Sequence, residues 1–218
     1  MTKPPADSEH VQDLLLWLNA RMSKEPYGIL HRIPKEPAIV IVGPLSIIFH
    51  WFWESGEVQL NWKLAIIAIF KKGKKEDPGA YRLFSLTSVP DKIMEKFILE
   101  VIKKYLRDNT DISHSQHGFT RGMSCLTNLI SFYDKVTQKI DQGKPVDVVF
   151  LDFSKAFDTV SHIILLDKLS STQLVKSVIH WVISWLKGQA QRLIVNKVTL
   201  GWWQVTRVPQ GSLLGAVL

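Results

Sequence analysis

Asp152 is the residue whose position most directly suggests chemistry. It follows VDVVFL, a β-branched, nearly all-apolar run over 146–151 that predicts a strand inside a sheet with covered faces. Ligands of α/β sheets gather at the carboxyl ends of their strands. A carboxylate placed there is unfavourable to bury unless something offsets its desolvation, and a hard divalent cation is one candidate. An Asp that caps the following helix is the other. A second cluster is KKGKKEDPG over 71–79, with four lysines in its first five residues and then a turn signal. By itself such a run reads as a solvated loop. A third is Pro209-Gln210-Gly211-Ser212, which as a bare string is a Pro-Gly turn.

Composition limits what these residues can belong to. The chain has 218 residues, 46% hydrophobic and 22% charged, which excludes intrinsic disorder and gives room for one or two domains. Gly 12 and Pro 10 are ordinary counts, and no short period recurs, so collagen-like and repeat readings fail. Cys125 is the only cysteine. With no internal disulfide to form, an intracellular setting is expected, in nucleus or cytoplasm. A net charge of +7 and a pI near 9.4 favour a polyanionic partner, nucleic acid or an anionic membrane surface, over a basic protein without one. The first ten residues are polar and carry Pro4, Pro5, Asp7 and Glu9, so no secretory signal is expected there. The longest uncharged stretch, 37–53, is short for a membrane span and is interrupted by Gly43, Pro44, Ser46 and His50. It predicts a buried helix entered near Pro44.

The elements that must position the candidate residues follow from periodicity. Helical spacing predicts a helix over 11–22, a loop rich in Pro and charge to 37, and a second helix over 45–53. The run LAIIAIF over 64–70 predicts a buried strand leading into the lysines. Ser88-Val89-Pro90-Asp91 has capping-box spacing, and Ile93, Met94, Phe97, Ile98, Val101, Ile102, Tyr105 and Leu106 form one core stripe behind it. A further helix over 124–141 is expected to turn Leu126, Leu129, Ile130, Tyr133, Val136 and Ile140 inward. Helices over 163–169 and 175–186 follow the predicted strand, and segments 193–195 and 202–205 suggest a hairpin. Mixed helices and strands give an α/β or α+β class.

Four segments, KLAIIAIFKKGKKEDPGAYRLFSLTSV, SQHGFTRGMSCLTNLI, FLDFSKAFDTVSH and VPQGSLLGAVL, stand in one order along the chain. In that order they resemble the reverse transcriptase domain of non-LTR, LINE-type retrotransposons, nearest to chicken-repeat and jockey-like elements. The resemblance implies a right-hand polymerase fold, with an N-terminal helical extension over 1–60, a fingers-like region over 61–145 and a partial palm over 146–218. It implies an RNA template, a DNA primer, deoxynucleoside triphosphates and Mg²⁺. Asp152 matches the first metal-binding aspartate of the palm, and the backbone carbonyl of Phe153 could face a metal beside it. Phe157 falls at the steric-gate position that would exclude a ribose 2′-hydroxyl, with an ordinary core aromatic as its other reading. Arg82, with its planar fork, and Lys71 and Lys72 match the fingers contacts to the incoming triphosphate. Gln210 and Gly211 match a palm motif beside the nucleotide and template, and Gly118 and Arg121 a template-proximal segment. Asp158 lies six residues from Asp152, on a different face if both were on one helix, and is not assigned to the metals.

The likeness also has departures. Leu83 stands where the family has proline, and Tyr27 and Ala216 replace an Asp and a second proline. No Tyr-Ala-Asp-Asp segment, the family's source of further catalytic aspartate, occurs within the 218 residues. The expectation is a fingers-and-partial-palm fragment, inactive in polymerisation by itself. The other readings are a non-catalytic basic module that binds RNA or an RNA–DNA duplex, and a functionless relic of a mobile element.

Overall fold

The computed structural model describes residues 7–17, 35–71, 76, 81–109, 113, 115–152, 156, 160–195, 198–206 and 208–215. Helix α1 (Ser8–Trp17) starts at Asp7, whose side chain accepts the His10 N–H at 2.9 Å and whose carbonyl accepts the Val11 N–H at 3.0 Å. That is an N-cap. Val11, Leu14 and Leu15, at helical spacing, are buried. Positions 18–22 of the expected helix lie outside the described residues.

Helix α2 (Lys35–Ser55) corrects the expected entry near Pro44, because it starts nine residues earlier and carries Pro44 inside. Proline removes one helical hydrogen bond there, and packing of the following turns keeps the element together. Val42, Phe49, Phe52 and Trp53 are buried, whereas Ile39, Val40, Ile47 and Trp51 face out. The helix is therefore half-buried. A 3₁₀ turn (Leu60–Lys63) then brings the Trp62 ring to 4.6 Å from Phe52 and 5.9 Å from Phe49, centroid to centroid.

Strand β1 (Leu64–Lys71) pairs antiparallel with β2 (Tyr81–Leu86), with Ile67 opposite Ser85, Phe70 opposite Arg82 and Lys71 opposite Tyr81. Its other side pairs in parallel with β3 (Ala190–Val195), with Leu64 opposite Ala190. Two short strands, β4 (Val198–Thr199) and β5 (Trp203–Gln204), both run antiparallel to β3. The order β2-β1-β3-β4 leaves β2 at an edge. This accounts for the expected strand over 64–70, while the expected hairpin of 193–195 with 202–205 is corrected: Ile194 and Val195 pair with β4, and β5 pairs with Ala190 and Gln191. Trp202 and Trp203 are exposed, with the Arg192 guanidinium 4.6 Å from the Trp202 ring.

Helix α3 (Val89–Asn109) is capped by Ser88, whose Oγ accepts the Asp91 N–H at 3.3 Å. Its stripe Ile93, Met94, Phe97, Ile98 and Ile102 is buried as the spacing requires. Between α3 and the helices that close the core, α4 (Cys125–Asp141) forms where its apolar spacing predicts, and a capping box starts it: Ser124 Oγ accepts the Thr127 N–H at 3.2 Å and Thr127 Oγ1 the Ser124 N–H at 2.8 Å. Its inward stripe is corrected. No α4 residue is buried, and Leu126, Leu129, Ile130, Tyr133 and Ile140 are exposed. The strand expected over 146–151 is corrected too, since 144–152 forms no ladder among the described residues and Phe150 and Leu151 are 85% and 82% exposed. A β-branched apolar run has the shape for a sheet, but a strand exists only where a neighbour supplies the other half of each hydrogen bond.

Two more helices, α5 (His162–Ser170) and α6 (Lys176–Leu186), complete the core. Val178, Trp181, Val182 and Trp185 of α6 are fully buried, and the two indoles stack at 6.1 Å. Phe49 meets Phe97 edge-on at 5.8 Å, joining α2 to α3. Among the described residues no helix is long and apolar enough to cross a membrane.

Candidate functional site

The turn over 208–215 lies along the edge of β2. The Ser85 N–H, on the side of β2 away from β1, donates to the Gln210 carbonyl at 2.8 Å. An edge strand offers such unpaired backbone groups, and here the turn takes one. Gly211 has φ +105°, and a Cβ built on it would stand 2.5–2.7 Å from ring carbons of Phe84. Only glycine allows that backbone and that approach together. Ser212 tightens the turn, its Oγ donating to the Pro209 carbonyl at 3.0 Å and accepting the Gly215 N–H at 2.9 Å. Val208 and Leu214 are buried beneath, and Gln210 is partly accessible.

The same turn is gripped from α3. Glu95 Oε2 accepts the Leu213 N–H at 2.5 Å and the Leu214 N–H at 3.2 Å. Asp91 stands one turn earlier on α3, and both carboxyls are 0% exposed. Burial pushes Glu95 up to about 7 against the pull of hydrogen bonds from Asp91 and the two backbone amides. Asp91 is raised well above the usual carboxylate range, first by burial and then by the adjacent Glu95. Sequence reasoning singles out neither residue as functional. A signal existed, because 91, 95, 98 and 102 fall on one helical stripe whose other members are apolar.

Of the expected site residues, the structure brings the Gln210–Gly211 turn onto β2, the strand that carries Arg82, and strand register sets Arg82 and Lys71 one position apart at the same end of the β1–β2 pair. Gly118 and Arg121 lie in an exposed loop ahead of α4, held by the Gln116 side chain on the Gly118 carbonyl at 3.2 Å. Asp152 is exposed at the end of the unpaired 144–152 segment. Lys72, Phe153, Phe157 and Asp158 lie outside the described residues.

A family model described as reverse transcriptase (RNA-dependent DNA polymerase) matches residues 70–218. The chain belongs to the reverse transcriptase family. That span holds β2, the 208–215 turn and Asp152, whereas α1, α2 and most of β1 lie ahead of it. The chain is 30% identical over 162 residues to a probable RNA-directed DNA polymerase from transposon BS of Drosophila melanogaster, covering 72% of this chain and 18% of the relative. It is 28% identical over 192 residues to the corresponding polymerase from transposon X-element of the same fly, covering 87% and 21%. A Pol polyprotein from the type-1 retrotransposable element R2 of Popillia japonica is 29% identical over 108 residues, covering 49% and 15%. These are the non-LTR elements that the sequence resembles. The chain spans about a fifth of the length of these relatives.

Reverse transcriptases use divalent metal, and magnesium wants near-octahedral oxygen ligation. Among the described residues no group of three or more His, Cys, Asp or Glu side chains gathers where an ion could sit. Asp152 offers one exposed carboxylate at the end of the 144–152 segment.

Proposed function

We propose that this chain is the fingers-like region (61–145) and partial palm (146–218) of an RNA-directed DNA polymerase of a non-LTR retrotransposon, with residues 1–60 a helical extension. In the whole polymerase, RNA template, DNA primer and deoxynucleoside triphosphates would meet at the β1–β2 pair and the 208–215 turn. Arg82, Lys71 and Lys72 would face the triphosphate, Gln210 and Gly211 the nascent base pair, and Gly118 and Arg121 the template. Asp152 and the Phe153 carbonyl would contribute to Mg²⁺ binding, and Phe157 would discriminate against the ribose 2′-hydroxyl. The observation that carries this reading is the Ser85–Gln210 backbone hydrogen bond, which joins two segments 125 positions apart that the resemblance assigns to one nucleotide site.

A non-catalytic nucleic-acid-binding role for the 218 residues taken alone is favoured by the +7 charge. The test is titration of the chain with a short RNA–DNA hybrid at several salt concentrations. Binding is expected to weaken with salt, with a log–log slope of about −0.9 per duplex phosphate neutralised, and Arg82→Ala should flatten the slope by about one such unit. Salt-insensitive binding, or none, would refute it. In the same samples Mg²⁺-dependent primer extension is expected to be absent, and extension that disappears in Asp152→Ala would overturn the non-catalytic assignment.

A further inference from the structure

We propose that Glu95 is a positioning residue for the 208–215 turn, its carboxylate holding the Leu213 and Leu214 N–H groups while a neutral Asp91 donates its proton to the other oxygen. Geometry requires a proton in this pair. Both Asp91 oxygens and Glu95 Oε1 are buried with no donor supplied by the other described residues when both groups are counted as ionised. Two adjacent buried carboxylates cannot both stay charged, but one acid and one carboxylate form a strong hydrogen bond. The charge belongs on Glu95, because of the two it is Glu95 that receives backbone donors. Among the described residues, the groups facing the pair are the Thr87 hydroxyl beside Asp91, the adjacent Lys92 on α3, and the Leu213 and Leu214 N–H groups of the turn. Lys92 lowers both carboxyls through its charge but less than burial raises them.

This deepens the polymerase reading, on which it rests for what the turn is placed to do, since Gln210 and Gly211 lie just ahead of the gripped amides. A rigid α3 would then fix how the turn sits on β2. The pH dependence follows in sign. Asp91, raised in the folded state, keeps a proton that the unfolded chain has already released, so stability falls as pH rises above the ordinary carboxylate range.

The test uses Glu95→Gln and Asp91→Asn in the full chain. The amide introduced by Asp91→Asn still offers an N–H to Glu95 and cannot titrate, whereas Glu95→Gln loses the charge that strengthens both backbone bonds. In Glu95→Gln, amide exchange at Leu213 and Leu214 should quicken about 10- to 100-fold, as expected for losing charge-assisted bonds. In Asp91→Asn it should stay within about threefold of the parent, since those bonds persist. The urea midpoint of the parent should fall as pH rises above the ordinary carboxylate range, and Asp91→Asn should flatten that fall. His10, which meets Glu100 at 2.9 Å a turn further along α3, is untouched by either change and cancels in the comparison. Unchanged exchange in Glu95→Gln, or the same pH profile in Asp91→Asn, would overturn the proposal. If Glu95→Gln does not fold, the Asp91→Asn profile decides. Neither readout uses nucleic acid, so failure of the hybrid titration would sink the nucleic-acid-binding reading and leave this proposal standing.

Discussion

Gly211→Ala is the substitution whose cost the structure resolves into parts. One part is backbone: at φ +105° a Cβ crowds the adjoining carbonyl, a cost of about 1–2 kcal/mol for an L-residue in left-handed space. The other is steric, because the new methyl would meet three ring carbons of Phe84 at 2.5–2.7 Å. Overpacking of that kind costs about 1–3 kcal/mol, and the lower half of the range applies here since Phe84 is 38% exposed and its ring can yield toward solvent. Together the loss is about 2–4 kcal/mol, or about 1–2 M in urea midpoint for a slope near 2 kcal/mol per molar. Phe84→Ala removes the obstacle and leaves the backbone part. Measured by urea unfolding of the parent, both single variants and the double variant, Gly211→Ala should cost about 1–2 kcal/mol less in the Phe84→Ala background. Equal cost in the two backgrounds, within about 0.5 kcal/mol, would show that the turn does not sit on β2 as described.

Two further outcomes test the core and the exposed helix. Trp181→Ala, at a fully buried site stacked on Trp185, should destabilise by about 3–5 kcal/mol in the same urea assay, while a loss under about 1 kcal/mol would remove α6 from the core. Ser124→Ala breaks the capping box of a helix that buries no residue, so its cost of about 1 kcal/mol should appear locally, as about fivefold faster exchange at the Thr127 amide with little change in the global midpoint.

The helices are legible in sequence where an apolar period and a cap coincide. α3 has Ser88 and a stripe from Ile93, and α4 has Ser124 and its own stripe; both begin within a residue of expectation. Periodicity names the face that is apolar but not what covers it, which is why the α3 stripe is buried and the α4 stripe is not. Pro44 reads as a start signal because proline is tolerated best in a first turn, yet the packing of Phe49, Phe52 and Trp53 carries the helix across it. The segment 146–151 has strand composition without a partner strand among the described residues, and composition cannot supply one.

The sequence by itself determined the family, through four ordered segments, and most of the helices, through local spacing and caps that depend on residues a few positions apart. Tertiary structure alone decided which distant groups meet. Sequence spacing does not report that β2 lies at a sheet edge, that the Gln210 carbonyl closes that edge, or that Gly211 must make room for Phe84. Nor does it report that Asp91 and Glu95 share a buried site beneath the 208–215 turn. The physical reason is desolvation. A carboxylate on a solvated helix face makes no demand on its surroundings, whereas the same carboxylate sealed under a loop must find a proton or a donor, a demand set by the packing around it.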